Sequence, residues 1–226
     1  MGPEKGLRNY TFAPNMQNKF PVTGGIKNII FDLGGVILNI DYTLTSQAFK
    51  NLGLTDFDEK YSQAKQNHLF DRLETGKINP SDFRQEMKSY FNLPVTDLDV
   101  DTAWNAMLLD LPQERIELLK KLSTRYRLFL LSNTNIIHYK AYSAYLQKTF
   151  GKLIFDAVFE KQYLSFQIGM RKPDKEIFEL VLNENKLQAS ETLFIDDSIQ
   201  HIQGATSCGI ITHHLKPSQT IIELFE

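Results

Sequence analysis

Cysteine is nearly absent from this sequence. Cys208 stands alone among 226 residues, so no disulfide can close within the chain, and a reducing, cytoplasmic setting is the expectation. Long apolar runs are missing too: nothing approaches the ~18 residues that a membrane-spanning helix needs. Residues 1–25 hold no continuous apolar stretch of the kind a secretory signal carries. Neither sign of charge dominates. With 25 Lys+Arg against 27 Asp+Glu the net charge is −2, which provides no basic surface for nucleic acid. No internal repeat or low-complexity segment is visible. What remains is 42% hydrophobic and 23% charged, the composition of an ordinary globular chain rather than a disordered one. Against a usual domain of ~150 residues, the length fits one large domain or a core with an inserted module.

Residues 1–25 mix Gly, Pro, Asn and Lys with isolated aromatics (Tyr10, Phe12, Phe20) and read as an extended arm. After Gly25 come short apolar runs that each stop at polar residues capable of chemistry. Lys27 to Phe31 ends at Asp32, Arg127 to Leu131 at Ser132-Asn133, Phe155 to Phe159 at Glu160, Thr192 to Ile195 at Asp196-Asp197, and Ile210 to Thr212 at His213. Such runs suit strands buried on both faces of a parallel sheet. Between them, Pro112 to Leu122 puts Ile116, Leu119 and Leu122 on one helical stripe, and Pro173 to Leu182 does the same with Ile177 and Val181. Lys172-Pro173 reads as the start of that second helix, and Gly209 as a helix C-terminal glycine. Alternating strands and helices predict an α/β fold with right-handed crossovers.

One connection is too long for a crossover. The 71 residues from Asp41 to Leu111 contain no strand pattern. Tyr42 to Leu52, Phe57 to Leu73, Asn79 to Phe91 and Val95 to Leu109 have helical spacing, and Asn79-Pro80 reads as an N-cap with proline at the first helical position. The spacing predicts a four-helix cap at residues 41–111, inserted into a core of residues 26–40 and 112–226 and lying over the carboxyl end of the first strand. Lids of this kind exclude water.

Open parallel sheets bind ligands outside the carboxyl ends of their strands. Asp32, Ser132-Asn133 and Asp196-Asp197 are therefore expected to converge on one rim. Three carboxylates brought together repel unless a cation joins them, and hard oxygens suit Mg²⁺. A cation in turn suits a phosphate. Lys172 adds positive charge, Ser132 and backbone N–H groups offer donors to phosphoryl oxygens, and an aspartate can act as nucleophile by forming an aspartyl-phosphate.

These residues also carry a resemblance. Phe31-Asp32-Leu33-Gly34-Gly35-Val36-Ile37-Leu38, Leu131-Ser132-Asn133-Thr134-Asn135, Lys172-Pro173-Asp174 and Phe194-Ile195-Asp196-Asp197-Ser198 resemble, in order, the four motifs of the haloacid dehalogenase-like (HAD) hydrolase superfamily. The likeness runs from about Lys27 to Ile211. Within the superfamily the chain is similar to subfamily I phosphatases with a helical cap. The Ser-Asn-Thr-Asn-x-x-His and Gly-Met-Arg-Lys-Pro strings resemble the bacterial α-D-glucose-1-phosphate phosphatase branch. The resemblance implies a Rossmann-like three-layer core and Mg²⁺-dependent hydrolysis of a small phosphorylated metabolite such as a sugar phosphate. It implies Asp32 as nucleophile and metal ligand and Lys172 as the group holding nucleophile and phosphoryl. Ser132 and Asn133 would be phosphoryl binders, and Asp196, Asp197 and the Gly34 carbonyl metal-site residues.

Two positions depart from the pattern. Gly34 stands where most relatives carry the acid–base Asp, and His201 where an Asn is usual. His138 is a candidate substitute proton carrier, with a helix residue hydrogen-bonded to a cap loop as the other reading. Asp41 reads as a simple N-cap, Cys208 as a small core residue, and His213-His214 as too isolated for a second metal site. A 2-haloacid dehalogenase and a non-catalytic phosphate-sensing protein stay open as alternatives, as does the oligomeric state. The acidic pair of the fourth motif counts against the dehalogenase.

Overall fold

The computed structural model describes residues 25–66, 68–92, 94–151 and 154–225, the side chains at 62–66 excepted. The expected N-terminal arm falls outside them, apart from Gly25. The chain begins with β1 (Asn28–Phe31) and continues through five helices, α1 (Tyr42–Asn51), α2 (Phe57–Gln66), α3 (Leu69–Glu74), α4 (Pro80–Phe91) and α5 (Asp97–Asn105). It then runs α6 (Gln113–Ser123), β2 (Arg127–Ser132), α7 (Ile136–Phe150), α8 (Ile154–Val158), β3 (Lys161–Leu164), α9 (Ser165–Ile168) and α10 (Lys175–Asn185). The last elements are β4 (Thr192–Asp196), α11 (Ile199–Ser207), β5 (Ile211–His214) and α12 (Ile221–Phe225). No helix among the described residues is long and apolar enough to cross a membrane.

The five strands pair in parallel in the order β3-β2-β1-β4-β5. Central β1 alternates its side chains between two cores. Ile29 and Phe31 join Ile116, Leu119, Tyr142 and Leu224 on one face, while Ile30 joins Ile177, Phe178, Val181 and Ile202 on the other. A strand whose every residue is buried needs apolar side chains in both directions, which is why its sequence reads as a continuous run. The three-layer α/β architecture follows the sequence expectation.

The third strand does not fall where its apolar run suggested. Phe155 to Phe159 is largely α8, with Phe155 and Val158 buried one helical turn apart and Asp156 turned outward. The strand is the following Lys161–Leu164, at the sheet edge, where its first residue is exposed. A five-residue apolar run has the same composition in either state, so periodicity could not separate them.

Residues 41–111 carry their own apolar cluster, in which Phe49, Phe70, Phe83, Met87, Phe91 and Trp104 are buried. Phe49 stacks on Phe57 at 4.7 Å between ring centroids, and Phe70 on Trp104 at 5.0 Å. The stretch expected as one helix from Phe57 to Leu73 is two, because His68 adopts a left-handed φ of 58° that α-helix cannot continue through. Thr96 and Asp99 form a capping box at the start of α5. The segments entering and leaving these helices pair with each other: Asn39 N–H donates to Asp110 O at 2.9 Å, Leu109 N–H to Asn39 O at 3.0 Å, and Ile40 bridges Leu108 antiparallel. That narrow link sets the helices over the rim at which β1 ends.

Candidate active site

Parallel pairing in register brings the strand ends level. Phe31 sits opposite Leu130 on β2 and Ile195 on β4, so the next residue, Asp32, emerges beside Asp196 and close to Ser132. Asp32, Asp196 and Asp197 each place a carboxylate oxygen within 4.8 Å of the others. The described residues contain this one grouping of three or more such ligands.

Lys172 holds the group together from below. Its Nζ, fully buried, donates to Asp32 Oδ1 at 2.8 Å, to Asp196 Oδ2 at 2.7 Å and to Leu131 O at 2.8 Å. Burial works against its ammonium, but the two carboxylates outweigh that and raise its pKa, so the charge persists. Burial also pushes the Asp32 carboxyl up, with Asp196 and Asp197 acting in the same direction and Lys172 opposing. For Asp196, burial acts upward but Lys172 and His201 win, and its pKa falls below the ordinary range. One ammonium among three carboxylates leaves the cluster strongly negative, and a hard cation or protons must make up the difference.

The Lys172 backbone is clasped by Asn133, whose side-chain amide donates to Lys172 O at 2.8 Å and whose Oδ1 accepts from Lys172 N–H at 2.9 Å. This clasp keeps Lys172 in the loop. Helix α10 starts only at Lys175, with Asp174 at its N-cap, not at Pro173 as the sequence suggested. Asn133 therefore offers its side chain to Lys172; Ser132 is buried and lines the cavity. His201 Nδ1 lies 3.0 Å from both Asp196 oxygens, and Asp196 Oδ1 accepts from Ser198 N–H at 2.8 Å. His214, set aside on sequence, has Nε2 3.0 Å from the carbonyl of Asp197.

Two glycines make room for this packing. Gly35 has φ +74°, and a Cβ there would stand 2.2 Å from Asp197 Oδ2. Gly204, on α11, approaches Pro173 so closely that a Cβ would lie 2.4 Å from its carbonyl oxygen. The crowding at Gly35 and the all-oxygen donor set fit a small hard cation.

Above the rim opens a cavity of about 910 Å³, lined from below by Asp32, Gly34, Ser132 and Asp197 and from above by Phe57, Phe70, Asp71, Glu74 and Trp104. His138 lines it too. Its Nδ1 is 2.8 Å from Asn105 Oδ1, its ring stacks on Trp104 at 5.2 Å, and burial pushes its pKa down to about 3. The hydrogen bond ties α7 to Asn105 at the end of α5, as the second reading of His138 expects. Asp41 is the N-cap of α1, accepting from Thr43 N–H at 2.9 Å. Arg171, which the sequence had not singled out, pairs with Asp71 and, at 3.0 Å, with Glu74 across the cavity wall.

The family model for haloacid dehalogenase-like hydrolases matches residues 26–209. The chain belongs to that family. This HAD-like hydrolase is 34% identical over 189 residues to a D-ribitol-5-phosphate phosphatase of Bacteroides thetaiotaomicron, covering 83% of this chain and 90% of that protein. It is 28% identical to a sesquiterpene phosphatase of Aspergillus oryzae, covering 88% and 94%. A HAD family enzyme of Bacteroides thetaiotaomicron solved with magnesium and inorganic phosphate superposes with a TM-score of 0.80 at 36% identity, over 89% of this chain and 100% of that one. None of these relatives singles out the glucose-1-phosphate branch that the sequence strings resemble.

Proposed function

We propose that this HAD-like hydrolase is a Mg²⁺-dependent phosphomonoester hydrolase acting on a small phosphorylated metabolite of the sugar- or polyol-phosphate class, glucose 1-phosphate and ribitol 5-phosphate being the first candidates, in the cytoplasm. The observation that carries this reading is the convergence of Asp32, Asp196 and Asp197 at the floor of a cavity, with a buried Lys172 ammonium bridging the first two. Asp32, Asp196, Asp197 and the Gly34 carbonyl are the groups that would hold Mg²⁺, which when bound supplies charge neutralisation for the phosphoryl oxygens.

Asp32 is the nucleophile. One of its oxygens attacks phosphorus, the ester P–O bond breaks, and an aspartyl-phosphate forms; water then attacks phosphorus, releasing phosphate and regenerating the carboxylate. Lys172 fixes the Asp32 rotamer and balances negative charge as the phosphoryl group arrives, while Ser132 binds a phosphoryl oxygen. Asn133 contributes by holding Lys172 in place. Residues 41–111 act as the cap that closes the cavity against water. Gly34 supplies no acid for the leaving oxygen.

Three clustered carboxylates favour this chemistry over dehalogenation, which has no use for a divalent cation. The test is phosphate release from a panel of phosphomonoesters with and without Mg²⁺, with Asp32→Asn as control. Mg²⁺-dependent release by the wild type and none by the variant is the expected result; absence of release by the wild type would refute the reading.

A further inference from the structure

The catalytic floor uses Asp32, Lys172 and their neighbours, but the cavity wall carries a second set of charges. Arg171 precedes Lys172 in the chain, so its side chain starts one residue from the reaction centre, where the group attached to the phosphoryl must lie. Its guanidinium forks across the cavity wall to two carboxylates of α3, Nη1 to Asp71 Oδ1 and Nη2 to Glu74 Oε2 at 3.0 Å. All three side chains line the cavity and stay partly open to it, at 28%, 34% and 25% exposure. Resting on the phosphatase reading above, we infer that Arg171, Asp71 and Glu74 read the leaving group and select a neutral polyhydroxylated one, a sugar or polyol, over an anionic or an apolar one.

The charge balance gives the direction of selection. One guanidinium serves two carboxylates, the exposed His68 ring adds a contact to Asp71 Oδ2 at 3.1 Å, and the nearby Lys50 is occupied by Asp58 at 2.5 Å. A leaving group carrying a carboxylate or a second phosphate meets an uncompensated negative charge. An apolar chain would strip water from three charges without replacing any hydrogen bond, which is costly. Hydroxyl groups solve both problems, because each donates to a carboxylate and accepts from an N–H donor.

Unfilled donors in the same wall point to such a ligand. Among the described residues, Arg171 Nε and Trp104 Nε1 are buried and have no hydrogen-bond partner. A buried donor without a partner costs about 1–3 kcal/mol, and a small turn of either side chain towards the cavity would let a hydroxyl serve as its acceptor.

The test is steady-state kinetics of the full chain with Mg²⁺ on ribitol 5-phosphate, glucose 1-phosphate, 2-phosphoglycerate, farnesyl phosphate and p-nitrophenyl phosphate. The wild type is expected to favour the two polyol or sugar esters over 2-phosphoglycerate and farnesyl phosphate by about tenfold or more in kcat/KM. Glu74→Gln and Asp71→Asn are each expected to lower kcat/KM on ribitol 5-phosphate, mainly through KM, about 10- to 100-fold more than on p-nitrophenyl phosphate. They are also expected to improve 2-phosphoglycerate relative to ribitol 5-phosphate. Equal performance of the anionic or farnesyl ester in the wild type, or equal losses on all esters in a variant that melts like the wild type, would overturn the inference. If no ester releases phosphate, the hydrolase reading fails by itself. Selectivity is then read by calorimetric binding of ribitol 5-phosphate against 2-phosphoglycerate to Asp32→Asn, where preference for the polyol ester supports the inference and no preference overturns it.

Discussion

Gly35 and Asp197 are packed so closely that a single methyl group cannot come between them: a Cβ on Gly35 would stand 2.2 Å from Asp197 Oδ2. The positive φ of Gly35 adds a second penalty for any side chain. Gly35→Ala is therefore expected to displace Asp197 and weaken the cation site. The checking measurement is thermal shift against Mg²⁺ concentration, where the wild type should rise in Tm and the variant should need about tenfold more Mg²⁺ or more for the same rise.

Removing the Lys172 ammonium leaves Asp32 and Asp196 buried without their shared counter-charge. Loss of one partner from a buried ionic cluster typically costs about 3–5 kcal/mol. Lys172→Met should show a loss of that order in urea unfolding without divalent cation. Part of that loss should return on adding Mg²⁺, since a cation supplies charge to the same carboxylates. Equal stability of variant and wild type in metal-free buffer would contradict the placement of Lys172.

His138 sets a pH dependence with a definite sign. Its pKa is about 3 when folded, against 6.5 for a free imidazole. Between those values the unfolded chain takes up a proton that the native state refuses. The stability His138 contributes is thus fully present above pH ~6.5 and is lost progressively as pH falls towards ~3. From pH 7 to pH 5 this amounts to about 2 kcal/mol. His138→Gln should lose correspondingly less Tm over that interval than the wild type, and identical pH slopes would contradict the burial of a neutral imidazole.

Gly204 bears on the site through Pro173. A Cβ at this position would meet Pro173 O at 2.4 Å and Phe178 Cε2 at 3.0 Å, and the first of these is backbone that can move only by shifting the loop that presents Lys172. Gly204→Ala should cost about 1–3 kcal/mol in stability and lower kcat more than its distance from the cavity suggests. Circular dichroism melts and kcat measured together check both halves of this expectation.

Much of this arrangement was legible in the sequence because strand ends are local signals. Asp32 follows a buried apolar run, and so do Ser132 and the Asp196-Asp197 pair, so a parallel sheet alone dictates that they meet. The third strand was not legible, since Lys161–Leu164 is a short edge strand beginning with an exposed lysine while the more apolar Phe155–Phe159 stretch is largely helix. The division between α2 and α3 depends on the left-handed backbone of His68, which no periodicity announces. Asn133 reads as a phosphoryl binder in the sequence, and only the fold discloses that its side chain also clasps the Lys172 backbone at the cavity wall. The Arg171 pairings join side chains about 100 residues apart and depend on how the cap helices sit against the core, which spacing does not encode.

The most direct test of Asp32 as nucleophile is to quench the Mg²⁺-loaded enzyme in acid during turnover of a phosphomonoester and locate any phosphoryl group by peptide mass spectrometry. A phosphorylated peptide with the modification on Asp32, absent from Asp32→Asn, is the predicted result. Turnover with the phosphoryl group on another residue, or undiminished turnover by Asp32→Asn, would contradict it.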